Sequence, residues 1–162
     1  MFFDQARRRP LNMPAPVLAF VLALGLAAAG APAQAADTDS SPAPQPDEYA
    51  NGKKAVDRKD WSGAIRSFRA VIAKEPTHAD AHNMLGYSYR SSGDLTSAMR
   101  HYQEALRLLP NHRGAHEYIG QAYLMMKQPD KAREHLARLE SICGTGCEEY
   151  RDLAKAIANY QP

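Results

Sequence analysis

The sequence contains no H-E-x-x-H pair, no phosphate-binding glycine loop and no G-x-S-x-G elbow, and its serines and carboxylates are scattered without a partnered base. These absences remove the common routes to metal-assisted, nucleotide-dependent and acyl-transfer chemistry, so the chain reads as non-enzymatic. Cysteine is scarce: Cys143 and Cys147 are the only two, they do not form C-x-x-C, and neither lies near residue 35, where a lipid anchor would attach. A second long apolar run is also missing. The one present, Val17 to Ala29, is shorter than the roughly 20 residues that a bilayer span requires.

That run has the flanks of a secretory signal. Arg7, Arg8 and Arg9 precede it and the small-residue pattern Ala33-Gln34-Ala35 follows, so residues 1–35 read as a signal peptide, with an uncleaved N-terminal anchor as the alternative. Pro10 stands where a twin-arginine signal carries a large apolar residue, which favours ordinary export. The expectation is an exported, periplasmic protein with no membrane span after cleavage. Of the 20 basic and 18 acidic residues, three arginines and one aspartate fall in 1–35, which leaves 17 of each sign. A balanced remainder carries no nucleic-acid footprint. Residues 36–47, ADTDSSPAPQPD, are polar and proline-rich and read as a disordered lead-in.

What the chain does possess is a period of 34 residues, on which Gly52, Gly86 and Gly120 recur, as do Ala64, Ala98 and Ala132. The middle copy runs His82, Leu85, Gly86, Tyr89, Ala98, Tyr102, Ala105 and Pro110. It resembles the tetratricopeptide repeat, W-x2-L-G-x2-Y followed by A-x3-F and P, with His82 at the usual Trp place. The first copy keeps Gly52, Ala64, Phe68 and Pro76, with Asn51 and Ala55 for the usual Leu and Tyr. The third keeps Ile119, Gly120, Tyr123 and Ala132, with Leu136 for the aromatic and Gly144 for the proline. The resemblance implies an all-α fold: a right-handed helical-hairpin solenoid of three such units over 48–144, with a capping helix in 145–162. It also implies a scaffold used for many partners rather than one activity.

The residues support that fold by themselves. Met84, Leu85, Tyr87 and Tyr89, then Leu95, Ala98, Met99, Tyr102, Ala105 and Leu106, have helical rather than alternating spacing. A helical glycine costs about 1 kcal/mol relative to alanine, and close helix packing is the compensation expected at Gly86 and its two counterparts. The spacing predicts helices at 48–58, 61–74, 78–91, 95–108, 112–126, 129–142 and 147–160. Pro76 and Pro110 stop the second helix of their copies, Pro129 suits a first turn, and Thr77 and Asn111 are the expected polar starts of the helices that follow. In the last helix Tyr150, Leu153, Ala154, Ile157 and Ala158 form one apolar stripe that should cover the end of the third repeat.

Three residue groups are candidate sites. In an exported chain Cys143 and Cys147 read as a disulfide across Gly144-Thr145-Gly146, with a thiol redox or metal site as the alternative. The segment SICGTGCEEYRDLAKAI is similar to the tails of small exported bacterial repeat proteins, which implies a periplasmic setting. His78 with His82, and His112 with His116, are four residues apart, a ligand-like spacing. Each pair recurs at the same places in successive copies, so register and packing explain them, and no metal or cofactor is expected. The third group is the concave face, which the resemblance builds from the first helix of each repeat: Tyr49, Lys53, Asn83, Tyr87, Arg90, Glu117, Tyr118, Gln121 and Met125. Its aromatic, amide and charged residues suit a peptide segment of an envelope partner. Tyr49 and Tyr87 stand where a chaperone-tail clamp needs basic or asparagine residues, so that specificity is not implied. The expected function is a peptide-binding adaptor or assembly factor, the alternatives being a self-associating structural repeat and a redox or metal protein using the cysteines.

A five-residue disulfide ring adds roughly 2 kcal/mol by loop entropy. Cys143→Ser/Cys147→Ser is therefore expected to lower the thermal midpoint while leaving the remaining properties intact; a lost enzymatic or metal-dependent activity would instead indicate a reactive pair.

Overall fold

The computed structural model describes residues 47–161. The signal peptide and all of the lead-in except Asp47 lie outside the described residues. Seven helices follow in order: α1 (Glu48–Asp57), α2 (Trp61–Lys74), α3 (Ala79–Ser91), α4 (Leu95–Leu108), α5 (Arg113–Met125), α6 (Pro129–Cys143) and α7 (Glu148–Ala158). They fall within about two residues of the predicted limits. Among the described residues no helix is long and apolar enough to cross a membrane.

Each repeat is a helix pair, α1/α2, α3/α4 and α5/α6, closed by a short turn. Lys59, Gly93 and Lys127, again 34 apart, all take left-handed backbone in these turns, with φ of 57°, 93° and 58°. Asp60 and Asp94 then cap α2 and α4 by accepting from the amides of Gly63 and Ser97, both at 2.9 Å. Those bonds hold the two carboxyls below the usual range. Pro129 opens α6 without a side-chain cap. The caps of α3 and α5 differ from expectation: they are His78 and His112, not Thr77 and Asn111. Each helix starts one residue later, and imidazole Nδ1 accepts from the amides of Ala81 and Ala115 at 3.3 and 3.2 Å as a carboxylate would.

The core rests on the glycines. A Cβ placed on Gly52 would lie 2.6 Å from the Phe68 ring, and one on Gly86 would lie 2.6 Å from the Tyr102 ring. Phe68 and Tyr102 are fully buried, and so are Ala64, Ala98 and Ala132 opposite. The third repeat solves the same problem differently. Leu136 is shorter than the aromatic it replaces and only half-buried, and the space over Gly120 is taken by Leu153 of α7, 2.6 Å from a Cβ at that position. Accordingly α7 packs on both α5 and α6. Cys143 ends α6 and Cys147 immediately precedes α7 without a side-chain cap bond, the two joined by a disulfide with Cα atoms 6.0 Å apart. Gly144 between them takes φ of 72°, a left-handed conformation that proline cannot adopt.

Leu153 has no exposed surface. Leu153→Ala is expected to cost about 2–5 kcal/mol, the range for deleting a fully buried leucine. Urea unfolding checks this, and a loss near zero would mean that α7 is only loosely held.

Candidate functional site

The predicted groove residues divide into three groups in the structure. Tyr49 is drawn into the joint between the first two repeats, edge-on to Phe68 at 5.6 Å and stacked on His78 at 5.2 Å. Burial, with Asp80 nearby, raises its hydroxyl above the ordinary value. Lys53 is exposed at the α1 end, and Met125 is exposed at the end of α5.

The centre is formed by Tyr87 and Arg90 of α3 and Tyr118 of α5. The two tyrosine rings, from successive repeats, lie 5.0 Å apart, and the Arg90 guanidinium sits 5.3 Å from one centroid and 5.5 Å from the other. Arg90 Nε also donates to the Tyr102 hydroxyl at 3.3 Å. The cation is thus shared by two π faces and tied to the core. Trp61, at the start of α2, extends the aromatic surface edge-on to Tyr87 at 6.0 Å. Sequence reasoning missed Trp61 because it begins a second helix; its being the only tryptophan was the available signal. Burial raises both phenols, Tyr118 to about 12 and Tyr102 further, so both remain neutral hydrogen-bonding groups.

Toward α7 the groove turns acidic. Gly114, Glu117, Tyr118, Glu148, Glu149 and Asp152 line one cleft, so the capping helix supplies a wall of the site as well as a core leucine. Glu117 is 8% exposed and accepts from Gln121 Nε2 at 2.7 Å. Burial first, then Asp152 and Glu149, push its carboxyl up to about 7 against the opposing pull of Arg90. Arg113 Nε reaches Glu149 at 3.4 Å on the rim. Asn83, at the place of Glu117 one repeat earlier, is also buried, with Oδ1 unpartnered. Its amide nitrogen lies against Gly114, where a Cβ would stand 3.1 Å away.

The histidines pair across helices rather than along them. His82 meets His101, and His116 meets His135. His112 Nε2 lies 2.9 Å from Asp80 Oδ1, an electrostatic contact without good hydrogen-bond direction. Cys143, Cys147 and Glu149 come together, but in the disulfide the two sulfurs are not thiolates, the form that binds metals.

Two family models, both described as tetratricopeptide repeat, match residues 49–112 and 89–157. Among solved structures the chain is similar to the TPR2B domain of yeast Sti1 in its pHsp70 complex. The identity there is 18%, over 68% of this chain and 90% of that one, with a TM-score of 0.63. The first TPR of Spaghetti (RPAP3) bound to the HSP90 peptide SRMEEVD matches at 16% identity, 69% and 94% coverage and a TM-score of 0.60. MamA from Desulfovibrio magneticus RS-1 matches at 24% identity and a TM-score of 0.56, over 59% of this chain and 54% of that one. At these identities the likeness is one of fold. No curated protein sequence matches the chain significantly.

Glu117 binds its proton near pH 7 in the fold against an ordinary 4.5, so its ionised form opposes folding above that range. Glu117→Gln keeps an acceptor for Gln121 and is expected to melt higher than wild type at about pH 8, with the gap closing toward about pH 5. Calorimetry across that range checks it; a gap of the same size at both ends would contradict the buried-carboxylate account.

Proposed function

Because the chain belongs to the tetratricopeptide repeat family, we propose that it is a non-catalytic adaptor that binds an extended peptide segment of a partner protein along its concave face. The observation that carries this reading is Arg90 held between Tyr87 and Tyr118, which joins two repeats in one half-exposed aromatic and cationic platform. Tyrosine and tryptophan give contact area at low entropic cost, and a fixed guanidinium offers donors for backbone carbonyls or a carboxylate. Supporting precedent comes from the Spaghetti domain, solved with a bound HSP90 peptide. The groove is polar along its length, with exposed Lys53 at the α1 end and Glu117, Glu148, Glu149 and Asp152 at the α7 end. Charge complementarity then orients the segment, a basic residue lying toward α7.

The setting belongs to the same proposal. The signal-like segment 1–35 and the Cys143–Cys147 disulfide both fit an oxidising, exported compartment, and the partner is an envelope protein.

A photocrosslinking residue at Tyr87 is expected to give a discrete partner adduct in native envelopes, and the same residue at exposed Arg107 of α4 to give none. Arg90→Glu should reduce the Tyr87 adduct about tenfold or more, as expected for loss of a central anchor. Equal crosslinking at both positions, or an adduct insensitive to Arg90→Glu, would refute the groove.

A further inference from the structure

The histidine pairs recur with the repeat and serve nothing described above. His82 faces His101 between α3 and α4, Nδ1 to Nδ1 at 3.2 Å; His116 faces His135 between α5 and α6 at 3.0 Å. The other ring nitrogen of each inner histidine, Nε2 of His82 and of His116, lies 3.0 Å from the carbonyl oxygens of Pro76 and Pro110. A carbonyl can only accept, so Nε2 carries the proton and Nδ1 of the neutral inner ring is bare. The tautomers follow: His82 and His116 accept, while His101 and His135 donate from Nδ1. Each outer ring also lies against a tyrosine of the first helix, Tyr89 stacked on His101 at 5.6 Å and Tyr123 against His135 at 5.7 Å.

An added proton on the inner rings disturbs these contacts. A proton on His82 or His116 would enter at Nδ1, so the outer ring must give up its own Nδ1 proton and carry one at Nε2 instead, or two N–H donors face each other at hydrogen-bond distance. A proton on an outer ring enters at Nε2 and spares the bond, but it places charge in a half-buried site among other cations. Around the first pair stand Arg69 of α2 and Arg100 of α4; Glu104 of α4 opposes them and is itself engaged by Arg107 at 2.6 Å. Around the second, Arg138 of α6 faces both rings, and His112, the residue that caps α5, lies near His116. Burial first, then the facing histidine and the nearby arginines, lowers His101 and His135 to about 4; burial first also lowers His116.

We infer that the two histidine pairs form a repeated acid-sensitive latch. When neutral, each pair clips together the two helices of its repeat; when protonated, each lets that repeat loosen. The first repeat has Glu48, Ser67 and Ala55 at the corresponding places and stays closed. The latch requires no bound partner and stands or falls apart from the groove.

Its sign follows from linkage. Unfolded, the rings of His101 and His135 take their protons near 6.5, and folded only near 4, so the stability they contribute is fully present above 6.5 and is lost as pH falls toward 4. Glu117 runs the opposite way, gaining stability on acidification. Asp60, Asp94 and Glu104, all held below their ordinary values, weaken the fold only at lower pH.

The test is amide hydrogen exchange of the full chain at about pH 7.5 and about pH 5, normalised for intrinsic rates, on wild type and on His101→Asn/His135→Asn. Asparagine puts an amide donor where imidazole Nδ1–H stood and cannot be protonated, while Glu117 is common to both proteins. Wild type is expected to lose about tenfold or more protection in α3–α4 and α5–α6 at the lower pH, with α1–α2 unchanged and the variant losing clearly less, since only the inner rings remain in it. Equal protection at both pH values, loosening that includes α1–α2, or an equal loss in the variant would overturn the latch. If the variant does not fold, ring titration of wild type by NMR decides: His101 and His135 protonating only below about pH 5, together with loss of amide protection, supports the latch. Ordinary titration of these rings, or protection unchanged, refutes it.

Discussion

The approach of a side chain onto a helical glycine is the constraint from which the rest of this molecule follows. Gly52, Gly86 and Gly120 each leave a gap that something large must fill, since a void forfeits the contacts that stabilise the pair. Phe68 and Tyr102 fill two of the gaps from within their own repeats, and in the second case the filler does more. The Tyr102 ring covers Gly86 while its hydroxyl accepts from Arg90, so one side chain closes the core and fixes the guanidinium of the groove. The third repeat has Leu136 where the other two have this aromatic and takes Leu153 from α7. That loan sets where Glu148, Glu149 and Asp152 stand, and these acids add to the burial that makes Glu117 hold its proton.

Much of the fold was legible because the repeat states it three times. Glycine, alanine and aromatic registers located six helices, and the apolar stripe of the last segment located the seventh. The helix caps were less legible, because histidine is rarely read as a cap; Nδ1 of His78 and of His112 does what a shorter polar side chain would do one residue earlier. Leu153 was correctly assigned to a covering stripe, but its partner glycine follows only from seeing that Leu136 leaves a space.

The groove was legible in its register and illegible in its depth. Tyr87, Arg90 and Tyr118 come together as their places in successive first helices imply, whereas Asn83 and Glu117, also at concave positions, are covered by neighbouring packing. Trp61 and the acids of α7 join the site from elements outside the first helices, which a rule drawn from repeat position does not reach. The histidines show the same limit. Spacing of four along one helix drew the eye to His78 with His82 and His112 with His116, while the bonded partners lie 19 residues apart on facing helices.

The borrowed leucine also bears on how such a chain can lengthen. Solenoids grow by duplication of a unit, and each new unit needs an open face to add to. At the α7 end that face is occupied: a further copy placed after α6 would have to expel Leu153 from over Gly120 and span the Cys143–Cys147 bridge. In the vocabulary of polymers α7 is a chain terminator, written into the third unit by the loss of its own aromatic, and it fixes the number of units at that end.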